Sequence, residues 1–111
     1  MVKYKSDHVF EALGNPVRRQ MFEKLARNGS SEGIPFSELA QPFDMSLPAA
    51  LKHVGILEES GLVVCKKEGR VKYCAANLDA LTDALAWMNS LEHLWEERLD
   101  RLENYLTNNE K

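Results

Sequence analysis

Residues 36–75 read FSELAQPFDMSLPAALKHVGILEESGLVVCKKEGRVKYCA, and the change of period inside this stretch decides the fold. Its first half is spaced for helices. Leu39, Ala40 and Phe43 mark a short helix ending by Asp44, with Ser37 as its cap, Glu38 near the positive end of its dipole and Pro42 keeping it short. The next helix starts at the cap Ser46, passes through Pro48 and runs to about Ser60, with Gly61 as the stop. Ala50, Val54 and Leu57 recur there at the i, i+4, i+7 spacing of a buried stripe. Beyond Gly61 the period is that of strands. Residues 62–67 and 70–75 flank Glu68-Gly69, a two-residue hairpin signal. Lys66, Lys67, Arg70 and Lys72 make that hairpin basic, with Glu68 alone opposing them.

Two short helices joined by the tight turn Phe43-Asp44-Met45-Ser46, then a basic two-stranded hairpin, are the layout of a winged helix-turn-helix. Opposite the Ala50/Val54/Leu57 stripe, the second of these helices carries Pro48, Ala49, Lys52 and Gly55, with His53 at the border. Small residues at its start let the backbone approach base edges in a DNA major groove. Lys52 then suits a phosphate or a guanine edge, and His53 a phosphate. A basic ribbon beside such a helix supplies phosphate anchoring next to groove reading.

Upstream, Ser6 is expected to cap a short helix over residues 7–13, with Val9, Phe10 and Leu13 on one side. Asn15-Pro16 then reads as cap plus first residue of another helix running to about Arg27, since a proline there forgoes only a donor that has no partner. Residues 28–33 form a polar loop, and Ile34-Pro35-Phe36 is long enough only for an edge strand. Downstream, residues 79 to about 108 carry one helical pattern free of proline and glycine. Thirty helical residues span about 45 Å, more than a domain this small covers alone. Leu78, Leu81, Leu85, Met88, Leu91, Trp95, Leu99, Leu102 and Leu106 keep a 3–4 spacing along it, widened by Trp87 and Leu94. Part of that stripe is expected to join the core. The rest calls for a second copy, so Val9, Phe10, Leu85, Met88, Trp95, Leu99, Leu102 and Leu106 are the expected homodimer contacts.

The expected architecture is mainly α with a small β-hairpin (α+β). It is one winged helix-turn-helix domain, with residues 7–78 as DNA-binding core and 79–108 as a long C-terminal dimerisation helix. A chain of 111 residues suits one domain, and 44% apolar with 28% charged residues is an ordinary globular balance. No apolar run has membrane length, the N-terminus lacks signal-peptide character, and two cysteines make no disulfide framework, so a cytoplasmic protein is expected. The net charge of −3 is unevenly spread. Residues 1–78 hold 11 basic and 9 acidic side chains, whereas residues 79–111 hold 3 and 8, leaving a basic face possible on the first part.

The segments Ala12-Leu13-Gly14-Asn15-Pro16-Val17-Arg18-Arg19, Phe36-Ser37-Glu38-Leu39-Ala40, residues 45–54, Leu57-Glu58-Glu59-Ser60-Gly61-Leu62-Val63 and Glu68-Gly69-Arg70 together resemble the ArsR family of bacterial repressors. The resemblance implies a dimer that places the helix after Ser46 in the major groove of double-stranded DNA and the hairpin wing on the flanking backbone. It assigns Ser46, Pro48, Ala49, Lys52 and His53 to the recognition helix, and Arg70 and Lys72 to the wing. Ser37 and Lys67 complete the expected DNA-binding set. A two-fold symmetric repressor matches a palindromic operator with half-sites about 34–36 Å apart. Leu47 and Leu51 stand where polar residues are common in the family, which points to sparse base readout. Gly55 inside the helix weakens it by about 1 kcal/mol relative to alanine.

The family's metal sites fail residue by residue. Leu39-Ala40-Gln41-Pro42-Phe43 has no cysteine pair, and His93 with Glu96 matches only half of the last-helix site, its other half falling on Ala80 and Thr82. Two ligands do not close a zinc site, so no metal and no cofactor are expected. Closing the hairpin at Glu68-Gly69 pairs Cys65 with Lys72 and leaves Cys74 one diagonal step away, too far for a disulfide without a bulge. Packing is the expected role of both cysteines, with a redox switch through them as an alternative reading, alongside a metal-responsive repressor and a winged-helix protein-interaction module. His8, His53 and His93 lie on separate elements, neither cysteine has a histidine near it in sequence, and no glycine-rich phosphate loop is present, so no enzyme is expected. The inducing signal is not legible.

Overall fold

Local signals set most of the element boundaries in the structure, a computed structural model that describes the backbone of residues 2–109 and the side chains of residues 7–108. The order is α1 (Val2–Leu13), α2 (Pro16–Asn28), β1 (Ile34–Pro35), α3 (Phe36–Ala40), α4 (Leu47–Glu59), β2 (Val63–Glu68), β3 (Val71–Ala76), a 3-10 turn at Leu78–Leu81 and α5 (Thr82–Asn109). The Asn15 side-chain oxygen accepts from the amides of Val17 (2.8 Å) and Arg18 (3.2 Å), and so starts α2. The Ser46 hydroxyl accepts from the Ala49 amide at 3.3 Å and starts α4. At the other end of α4 the buried Ser60 hydroxyl donates to the Leu57 carbonyl (2.8 Å) and accepts from the Leu62 amide (3.3 Å), carrying the chain into β2.

Three antiparallel strands lie in the order β1-β3-β2, so the hairpin gains a short third strand from Ile34-Pro35, which pairs with Cys74 and Tyr73. Gly33 makes that approach possible. Its φ of +83° is left-handed, and a Cβ there would overlap the Cys74 carbonyl. The core collects Val9 and Ala12 of α1, Met21, Phe22 and Leu25 of α2, Leu39 of α3, the Ala50/Val54/Leu57 stripe of α4, and Leu62, Val63 and Cys74 of the hairpin. Burial of the α4 stripe is complete, and this fixes which side of α4 faces outward.

Several expectations need correction. Helix α1 begins before Ser6, which therefore lies within it and not at its cap. Helix α3 starts directly from the extended residue Pro35 with no side-chain cap, leaving Ser37 exposed inside its first turn, and it ends at Ala40, not Asp44. The hairpin loop is Gly69-Arg70, with Glu68 still paired to Val71. Gly69 has φ +62° and Arg70 does not enter the left-handed region, so the glycine takes the first loop position, as a type II′ turn requires. Sliding the loop by one residue moves each strand partner by two. Cys65 thus faces Cys74, and Lys67 faces Lys72. The last helix opens as a 3-10 turn, and among the described residues of α5 only Ala84 is buried. Less of its stripe enters the core than the spacing suggested, since every residue from 85 to 108 is exposed.

Candidate nucleic-acid interface

With its stripe sunk into the core, α4 turns Leu47, Pro48, Leu51 and Lys52 to solvent, with Ala49, Gly55 and half-buried His53 beside them. Ser46, Pro48, Ala49, Lys52 and His53 therefore share the N-terminal part of one helix. The Ser46 hydroxyl is already engaged as the cap, so what this end offers a partner is close backbone approach. Ser37 is exposed on α3, which Lys24 of α2 fastens by donating to the Glu38 carbonyl at 2.9 Å.

His53 is not a free side chain. Its Nδ1 lies 3.3 Å from Nη1 of Arg18 on α2. Desolvation lowers the imidazole pKa, and the positive charges of Arg18 and Lys52 lower it further, so the ring is held neutral. Sequence reasoning passed over Arg18. The Asn15-Pro16 cap located its helix, but nothing in the spacing showed that its guanidinium reaches back to α1 and across to α4.

The wing divides its cations. Lys66 pairs with Glu68 on its own strand at 3.2 Å. Lys72 reaches Glu58 of α4 at 3.0 Å, a half-buried ion pair whose hydrogen bond raises the Lys72 pKa. Lys67 and Arg70 are exposed and make no ion pair among the described residues. The Lys72–Glu58 pair sets the hairpin beside the recognition-helix candidate, and Lys67 with Arg70 remain as its open charges. Glu58, also missed by sequence reasoning, is the clamp between the two.

Cys65 and Cys74 meet with their sulfurs 3.3 Å apart across the hairpin. Burial pushes both thiols up, and the hydrogen bond Cys65 donates to Cys74 raises its own further. Such thiols hold little thiolate at neutral pH. Among the described residues no group of three or more His, Cys, Asp or Glu side chains is placed to hold a metal ion, and His93 is 3.9 Å from Glu97 on the α5 surface.

The expected dimer residues separate into two sets. Val9 is fully buried inside the protomer and belongs to its own core. Its neighbour Phe10 is exposed and meets Trp87 of α5 edge-to-face, with ring centroids 5.4 Å apart. Leu85, Met88, Trp95, Leu99, Leu102 and Leu106 are all 42–58% exposed, on a helix of 28 residues in a molecule 72 Å long. That is a continuous apolar stripe left open to water.

A family profile described as a helix-turn-helix domain matches residues 13–66. The crystal structure of an ArsR family transcriptional regulator matches at TM-score 0.75 and 38% sequence identity, covering 85% of this chain and 93% of that one. The chain belongs to the ArsR family. This regulator is also 27% identical over 82 residues to the transcriptional repressor SdpR of Bacillus subtilis, with 74% of this chain and 87% of the relative covered. The homodimeric winged helix-turn-helix DNA-binding domain of a possible ArsR-family regulator from Mycobacterium bovis matches at TM-score 0.60 and 28% identity, over 81% of this chain and 82% of that one. The ArsR-family chain is thus a helix-turn-helix transcriptional regulator and not an enzyme.

Proposed function

We propose that this regulator is a cytoplasmic homodimeric repressor that occupies a palindromic DNA operator. In this reading Lys52, His53 and the small residues Pro48 and Ala49 of α4 enter the major groove, with Ser46 and Ser37 at the groove edge. Lys67 and Arg70 rest on the flanking phosphates. Lys72 serves the same wing by holding it to Glu58. The carrying observation is the orientation of α4, whose Ala50/Val54/Leu57 side is wholly buried while Pro48 and Lys52 are exposed beside a wing with uncommitted cations.

Residues 7–78 are the DNA-binding core, and the helix over 79–108 pairs with its counterpart in a second copy. The open α5 stripe supports this, as does the homodimeric state of the similar Mycobacterium bovis domain. Repression is the role of the similar SdpR. Selection of bound duplexes from a random pool, followed by sedimentation of the complex, tests the reading. The expected product is an inverted repeat bound by two protomers. Recovery of no enriched sequence, or binding by one protomer, would overturn it.

A further inference from the structure

Arg18 makes three contacts from the first turn of α2. Its Nε donates to the Ala12 carbonyl at 2.7 Å, its Nη2 donates to the Glu11 carbonyl at 3.2 Å, and its Nη1 lies 3.3 Å from His53 Nδ1. Arg19 adds a bond from Nη1 to the Leu13 carbonyl at 2.8 Å. The carbonyls of Glu11, Ala12 and Leu13 end α1; that of Glu11 also accepts from the Gly14 amide at 3.1 Å, while those of Ala12 and Leu13 have no later helical turn to supply an amide, and a cation suits that end of the helix dipole. Two bonds to neighbouring carbonyls fix the plane of the Arg18 guanidinium, so the third donor is aimed and not free to wander.

A guanidinium has donors only and does not deprotonate in a protein. The His53 nitrogen facing it must therefore accept, and an imidazole that accepts at Nδ1 carries its proton on Nε2. Nε2 has no hydrogen-bond partner among the described residues. It is the donor left over on the outward-turned helix, next to Lys52.

The geometry points to Arg18 as a positioning residue for the DNA-reading helix: it holds His53 as a neutral ring whose Nε2–H is offered to an acceptor on DNA, and it locks that ring to the end of α1. The inference rests on the reading of α4 as the helix that enters DNA. It differs from a plain helix-capping role, in which Arg18 would serve α1 alone and His53 would be indifferent to it. Helix α1 packs on α5 and touches α4 directly, and the Arg18 side chain adds a polar link from the end of α1 to the helix proposed to touch DNA.

The test uses the full chain and the duplex that the wild-type protein selects from a random pool. Arg18→Gln, Arg18→Lys and His53→Ala are measured singly, and Arg18→Gln with His53→Ala as a double variant, with the His53 ring titration followed by nitrogen NMR. Each single variant is expected to weaken binding roughly tenfold, and the double variant no more than the weaker single, because both remove one device. Lysine at position 18 keeps the charge without the fork, so Arg18→Lys is expected to bind no better than Arg18→Gln while folding more stably. The His53 titration midpoint is expected to rise in Arg18→Gln. Multiplied losses in the double variant, full recovery with lysine, or an unmoved midpoint would each overturn the proposal. If His53→Ala costs no affinity, the donor role is wrong; if Lys52→Ala also costs none, the assignment of α4 itself has failed.

Discussion

Lys72 Nζ and Glu58 Oε1 lie 3.0 Å apart, and this pair fastens the basic hairpin to the helix proposed to read DNA. Both side chains are about one-third exposed, at 34% and 35%, so solvent screening keeps the pair to at most about 1 kcal/mol of stability. Its main effect is on charge. Replacing Glu58 with glutamine releases Lys72 and removes a negative charge beside the wing. We expect Glu58→Gln to steepen the fall of log K with log salt by about 0.9, the value of one more neutralised phosphate. Fluorescence anisotropy across a salt series measures this; an unchanged slope would show that Lys72 reaches no phosphate even when released from Glu58.

Two glycines make opposite predictions. Gly33→Ala forces a side chain into the Cys74 carbonyl at a left-handed φ, and should cost about 2 kcal/mol or more in urea unfolding. A Cβ at Gly55 meets nothing within 4 Å, so Gly55→Ala should stabilise the protein by about 1 kcal/mol. Loss of DNA affinity in Gly55→Ala without loss of stability would show that the outer face of α4 needs close approach there.

The thiol pair sets a third expectation. Both thiol pKa values are raised, so at pH 8 Cys65 and Cys74 should be alkylated more slowly than an exposed cysteine, with the rate climbing only at more alkaline pH. The sign for stability follows. A folded-state pKa above the unfolded one means a contribution that is whole below the ordinary cysteine value of about 8.5 and is lost as pH rises beyond it. Mass spectrometry after mild peroxide should find both thiols reduced and operator binding unchanged; a Cys65–Cys74 disulfide that altered binding would restore the redox reading.

Removal of everything after Ala86 takes away the exposed stripe from Trp87 onward, including the ring that meets Phe10. The shortened chain should be monomeric or markedly less stable by light scattering and thermal melting. A stable dimer would remove α5 from the interface.

Much of the fold was legible because it depends on neighbours in sequence. Asn15-Pro16 and Ser46 cap helices with their own side chains, and Ala50, Val54 and Leu57 needed only the helical period to be read as core. What escaped depends on residues far apart or on one torsion. Whether Glu68 or Gly69 opens the hairpin loop is a single backbone choice, yet it decides that Cys65 faces Cys74. Ser37 has the chemistry of a cap but follows a residue that leaves a strand directly into α3. Arg18 and Glu58 are ordinary surface charges in sequence, and only tertiary structure brings them to His53 and Lys72. Val9 and Phe10 are adjacent, and the sequence did not show that one turns inward and the other toward Trp87.

The most direct test of the account is the affinity of the Lys52→Ala/His53→Ala double variant for the selected operator, measured over a salt series beside sedimentation of the free protein. Binding should weaken by at least about tenfold, and the salt slope should fall by about one unit, owing to Lys52 alone since His53 acts as a neutral donor. The sedimentation of the free protein should not change. Unaltered affinity in the double variant would contradict the claim that this face of α4 reads DNA.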